Sequence, residues 1–143
     1  SLYPWGSYYT RSDQGCFVAN FKPNRGNYVA DSPTGTTTMK TGDFDPNPYG
    51  LYDMAGNVAE WTSTAFFEGG YEIINDMNPE LQYDAKTDDP PVMKRKVIRG
   101  GSWKDMAYFI RTSTRSYEYQ DTTKSYVGFR CVRSSFRNDM KNR

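Results

Sequence analysis

Two stretches of this 143-residue chain carry residues whose types and spacing could do chemistry. RGGSWKDMAYFIRTSTRS, residues 99 to 116, opens on two glycines, a serine and a tryptophan and runs on dense in Arg and Tyr, as the floor of a pocket would, with Asp105 its only acid. GLYDMAGNVAEWT, residues 50 to 62, sets the carboxylates of Asp53 and Glu60 around Gly56 and Val58, whose carbonyls a turning backbone can aim inward. Calcium takes about six to eight such hard oxygens. The same spacing also suits a capped helical turn with Asp53 as N-cap and Glu60 in solvent, and it is not the EF-hand pattern. Spacing alone leaves both open.

What is missing narrows the chemistry further. The chain has no histidine, which removes His-based triads, the commonest general base and most zinc or iron sites. Its two cysteines, Cys16 and Cys131, permit one disulfide and have no metal-cluster spacing. Catalysis would have to rest on carboxylates, Tyr, Lys or a thiol, and no nucleophile here has a recognisable activating partner. Arg99, Arg111, Arg115 and Arg130 could meet the carboxylate of a ligand or brace loops through paired hydrogen bonds.

The elements that must position these residues are short. Apolar residues make up 36% of the chain and the mean hydropathy is −0.85, too little for a large core. The aromatic excess of 12 Tyr, 8 Phe and 3 Trp has to wall it instead. Eighteen basic against 17 acidic side chains leave a net charge of +1, so no global field draws in nucleic acid or an anionic membrane. Residues 22 to 50 read as consecutive turns, 50 to 62 as a short helix, and 96–99, 109–114 and 126–132 as strands. Lys94-Arg95-Lys96 reads as a solvated face. Residues 66 to 96 form a polar excursion on which Phe66, Phe67, Tyr71, Ile73, Ile74, Met77 and Leu81 place large apolar groups. Ile73, Ile74 and Met77 are expected to anchor a contact, and Phe66 and Phe67 to fold back onto the domain. The expectation is a small, loop-rich α+β domain.

GLYDMAGNVAEWT, RGGSW and VGFRC at 127 to 131, in this order, together with YPWG at 3 to 6 and VAN at 18 to 20, resemble the sulfatase-modifying-factor family of the formylglycine-generating enzymes. The resemblance implies an irregular, C-type-lectin-like α+β fold, with residues 1–143 as the C-terminal portion of one domain. It implies a calcium site at the side chains of Asp53 and Glu60 with the carbonyls of Gly56 and Val58, and a second at Asn20, the carbonyl of Phe21 and Asp31. Cys131 matches the family's disulfide position in GFRC, whose usual partner would precede this chain. Where the enzymes carry a copper-binding cysteine pair after GGS, this chain has KDMAYFIR, and no Cys lies between 17 and 130. Soft copper(I) needs soft sulfur ligands. A pseudoenzyme with no copper is therefore expected.

A longer match sharpens the functional expectation. WGSYYTRSDQGCFVANFKPNRGNY, residues 5 to 28, is similar to ring-forming lipoproteins of the gliding-motility and type IX secretion machinery of the Bacteroidota, the GldK/PorK type. That similarity implies a structural subunit at the periplasmic face of the outer membrane, held by a lipid anchor outside this chain. It would associate with itself and with a ring partner of the GldN/PorN type. The alternative is a ligand-binding module like the variable proteins of diversity-generating retroelements, which share RGGSW and GFR but concentrate Asn after RGGSW, where residues 104 to 126 have none. An active enzyme of the formylglycine-generating type ranks last.

Overall fold

The computed structural model describes residues 1–23, 34–69 and 80–132. Its regular structure is one four-stranded sheet of β1 (Ala59–Ala65), β2 (Arg95–Arg99), β3 (Ser116–Tyr119) and β4 (Val127–Gly128), in the order β3-β2-β1-β4. β2 runs antiparallel to both β1 and β3, whereas β4 lies parallel to β1 through Ala59–Val127 and Glu60–Gly128. Among the described residues one 3-10 turn, Pro91–Lys94, occurs, and it leads into β2. No α-helix occurs among the described residues, and no helix there is long and apolar enough to cross a membrane.

β2 forms where the sequence predicts a strand, because Val97 and Ile98 are buried by neighbours on both sides. The helix expected over residues 50 to 62 does not form. Its first part is irregular and its last residues enter β1, because Asp53, Gly56 and Asn57 take left-handed φ angles of 51°, 80° and 62° that no α-helix accommodates. The strand expected over residues 109 to 114 is a run of turns that drops Ile110 into the core, and pairing with β2 starts at Ser116 instead.

The core is small and assembled from distant pieces: Tyr3, Ala19, Phe21, Ala55 and Ile110, flanked by Leu2, Trp5, Phe17 and Ala107. Tyr3 stacks on Trp5 with ring centroids 4.8 Å apart, and Phe17 meets Phe21 edge-on at 5.5 Å. Aromatics thus supply the bulk that aliphatic residues cannot.

The predicted solvated face at residues 94 to 96 is a brace instead. Arg95 is buried, with its guanidinium 5.3 Å from the ring centre of Phe66 and 4.9 Å from that of Tyr117, and pairs with Glu68 at 3.1 Å. Lys96 donates to the carbonyl of Tyr83 at 2.7 Å and to Asp84 at 3.0 Å. Phe66 folds back on Tyr117, with centroids 4.6 Å apart, while Phe67 stays exposed. Leu81 accepts from the amide of Ala65 at 2.7 Å, tying the end of the excursion to β1. Tyr71, Ile73, Ile74 and Met77 lie outside the described residues.

Candidate functional site

RGGSW turns sharply because Gly100 and Gly101 follow β2 with φ of 84° and 64°. A Cβ on Gly101 would lie 2.8 Å from the carbonyl oxygen of Phe109, so the loop carrying Ile110 packs directly against bare backbone. Ser102, fully buried, donates its hydroxyl to Asp105 Oδ2 at 2.6 Å, and its amide donates to the same oxygen at 2.9 Å. The Asp105 carbonyl accepts the amide of Lys22 at 2.8 Å. The only acid of the stretch is thus a turn clamp.

Beyond this turn lies a pocket of about 150 Å³, floored by Gly100 and Gly101 and walled by Lys104, Tyr117, Glu118 and Tyr126. Lys104 Nζ sits 3.3 Å above the ring centre of Tyr126, whose hydroxyl donates to Glu118 at 3.1 Å. Lys124 pairs with the same oxygen of Glu118 at 3.6 Å. Sequence reasoning missed this Lys-Tyr-Glu chain, because its members are separated by turns and share no spacing. The polar groups neutralise one another, and no thiol lines the pocket. Its size and lining suit a small polar group.

The other stretch is built on a clamp between loops. Asn20, 1% exposed, accepts the amide of Gly35 at 2.9 Å through its carboxamide oxygen. Its Nδ2 donates to the carbonyl of Thr37 at 2.8 Å and to Asn57 Oδ1 at 3.3 Å. Asn57 in turn holds Met39 at both amide and carbonyl. Gly56 passes so close beneath that a Cβ there would lie 2.5 Å from the carbonyl oxygen of Asn20. Of the second expected calcium set, Asn20 is this clamp, the carbonyl of Phe21 is covered by Gly35, and Asp31 lies outside the described residues.

The first calcium set fits in part. Among the described residues no amide donates to the carbonyl of Gly56 or Val58, which suits ligation. The side chains are engaged elsewhere. Asp53 Oδ2 accepts the amide of Gly42 at 2.9 Å. Both oxygens of Glu60 accept from Arg130 Nε, at 2.7 and 2.8 Å, and the rest of that guanidinium donates to the carbonyls of Tyr52 and Asp53. A guanidinium therefore holds Glu60, and a metal ion would have to share it. Among the described residues no cluster of three or more Asp, Glu, Cys or His side chains converges.

Of the arginines weighed as braces, Arg130 is one, and Arg99 Nη2 donates to the carbonyl of Thr112 at 2.6 Å. Arg111 faces the ring of Tyr108 at 5.1 Å, and its Nε is buried without a partner. Cys16 and Cys131 are both exposed and unbonded.

Comparison with known proteins places this arrangement. The chain is 33% identical to the formylglycine-generating enzyme of Mus musculus over 141 residues, covering 92% of itself and 33% of that protein. It is 28% identical to the inactive C-alpha-formylglycine-generating enzyme 2 of Mus musculus over 142 residues, covering 95% of itself and 38% of that protein. It therefore spans little more than a third of the length of these relatives. Among solved structures, PvdO from Pseudomonas aeruginosa superposes on 90% of the chain and 42% of its own, with a TM-score of 0.60 at 22% identity, and so shares the fold. The family model of the sulfatase-modifying factor enzyme 1-like domain matches residues 1–135, and the chain belongs to that family.

Proposed function

We propose that this domain is a non-catalytic assembly subunit built on a formylglycine-generating-enzyme scaffold, and that it serves the ring of the type IX secretion and gliding machinery. One observation carries the non-catalytic part: no cysteine lines the RGGSW pocket, and its acids are engaged in holding the structure. Asp105 clamps the turn, Glu118 accepts from Tyr126 and pairs with Lys124, and Lys104 lies over the Tyr126 ring. The family contains relatives named as active and relatives named as inactive, so membership alone decides nothing. The ring assignment is supported by the likeness of residues 5 to 28 to the ring lipoproteins. In that stretch Tyr8 and Tyr9 are 68% and 74% exposed, large aromatic surface of the kind that interface centres favour. A C-type-lectin-like ancestry and an outer-membrane location through a lipid anchor belong to the same reading.

The full-length protein, incubated with copper(I) and a sulfatase-motif peptide, is expected to yield no formylglycine. Aldehyde product would overturn the reading. Tyr8→Ser with Tyr9→Ser should leave the monomer's melting temperature unchanged while ring assembly with the partner falls about tenfold or more, as hot-spot aromatics do. Assembly at the parental level would remove this face from the ring.

Calcium enters the same reading as a structural ion at the side chains of Asp53 and Glu60 and the carbonyls of Gly56 and Val58, with Arg130 as its competitor for Glu60. Arg130→Gln should make the melting temperature rise by about 5 °C or more at saturating calcium, above the response of the parent. Glu60→Ala should show no response. Indifference of both the parent and Arg130→Gln to calcium and chelator would leave the guanidinium as the only counter-charge of Glu60.

A further inference from the structure

Also bordering RGGSW, at Arg99 and Gly100, is a cavity of about 420 Å³, walled mainly by Tyr3, Tyr49, Leu51, Met54 and Ile110, with Arg99 and Arg111 on its lining. Its charges do not balance. Among the described residues Glu60 is the only carboxylate on the lining, and Arg130 already holds both of its oxygens. Arg99 gives one hydrogen bond, to the carbonyl of Thr112, and has no carboxylate partner among the described residues. Arg111 hydrogen-bonds only through its backbone, its guanidinium faces the ring of Tyr108 and has no carboxylate partner among the described residues, and its Nε is buried without a partner there. An unmet buried donor costs about 1–3 kcal/mol, more when charged, so native structures leave few of them. Two guanidinium forks beside an apolar space are the recognition elements for a planar anion, which each fork can grip through two parallel hydrogen bonds.

We propose that this cavity binds a carboxylate carried on an apolar body. The two arginines supply the charge, and Tyr3, Leu51, Met54 and Ile110 enclose the carbon frame. Burial of that frame supplies most of the affinity, and the arginines reject the uncharged analogue, because an amide would leave the forks unpaired. The carboxylate can belong to a free acid or to an acidic side chain beside an apolar one in a polypeptide. Tyr49, 87% exposed at the rim, leaves the entrance open to both. The inference stands independently of the ring reading.

The test titrates the unaltered protein with 3-phenylpropionate and with 3-phenylpropionamide, which has the same shape and no charge, while following the Nε–Hε resonances of its arginines by NMR. The acid should move the Arg111 resonance and bind about tenfold or more tightly than the amide, with affinity falling as salt rises. Equal binding of acid and amide, or an Arg111 resonance that neither moves, would overturn the proposal. Arg99→Gln and Arg111→Gln should each weaken the acid by about tenfold with the melting curve retained. If Arg111→Gln fails to fold, Arg99→Gln and the acid-to-amide comparison still decide. A second arm compares acetyl-Phe-Glu-amide with acetyl-Phe-Gln-amide. Preference for the Glu peptide over the free acid assigns a polypeptide source, and the reverse order assigns a free acid.

Discussion

Replacing Gly56 with alanine is expected to unfold the domain or bring it close to unfolding. Two costs add. At φ of 80° an L side chain costs about 1–2 kcal/mol. The new Cβ would also lie 2.5 Å from the carbonyl oxygen of Asn20 and 3.1 Å from its carbon, backbone atoms of a residue that is itself locked by three hydrogen bonds and cannot retreat. Overpacking of that kind costs about 1–3 kcal/mol. The sum of about 2–5 kcal/mol is a large part of the roughly 5–15 kcal/mol that holds a typical domain. Gly15 supplies the control, since it has φ of 83° and nothing within 4 Å of an added Cβ. Gly15→Ala should cost only the backbone share. Thermal melts of both variants check this, and equal losses would show that close approach at Gly56 contributes nothing.

Asn20→Ala is the second large effect expected. Truncation leaves the amide of Gly35 and the carbonyl of Thr37 without their partner, and it removes one of the donors to Asn57 Oδ1, all beneath a residue only 1% exposed. At about 1–3 kcal/mol for each buried group left unpaired, the loss should reach about 3 kcal/mol. Asn57 shares the clamp, so the effects should not add: Asn20→Ala with Asn57→Ala should cost clearly less than the two single variants together. Urea melts of the three variants measure this. Additive losses would mean that the asparagines act separately.

The motifs were legible in the sequence and their geometry was not. β2 could be read from Val97 and Ile98 because a buried strand writes its burial into its own residues. RGGSW read as the floor of a pocket, and its two glycines do floor one, but the sharp turn they make, with the φ of Gly100 and the approach of Phe109 to Gly101, was not read from the sequence. The helix expected at residues 50 to 62 failed for a reason located 30 or more positions upstream, where Asn20 draws Gly56 and Asn57 into left-handed backbone. Lys94 to Lys96 looked solvated because charge runs usually are, whereas Arg95 is buried against Phe66 and Tyr117, residues no local pattern connects to it. At the site, spacing suggested Glu60 as a metal ligand but could not show Arg130 holding it from 70 positions away. The second calcium set was legible only as a family likeness, and Asn20 proved to be a clamp whose function depends on Gly35 and Thr37.

The dispersed core sets a timetable for synthesis. Tyr3, Ala19 and Phe21 leave the ribosome early, but the cluster they belong to closes on Ile110, and the Tyr3 hydroxyl reaches the carbonyl of Ala107 across 104 positions. At roughly 5–20 residues translated per second, that separation is a wait on the order of five to twenty seconds. During it Tyr3, Trp5, Phe17 and Phe21 have only one another, without Ile110 and Ala107 to close over them. A nascent chain with this layout calls for a holding chaperone, or a passage across a membrane in the unfolded state, more than a domain whose core closes on near neighbours.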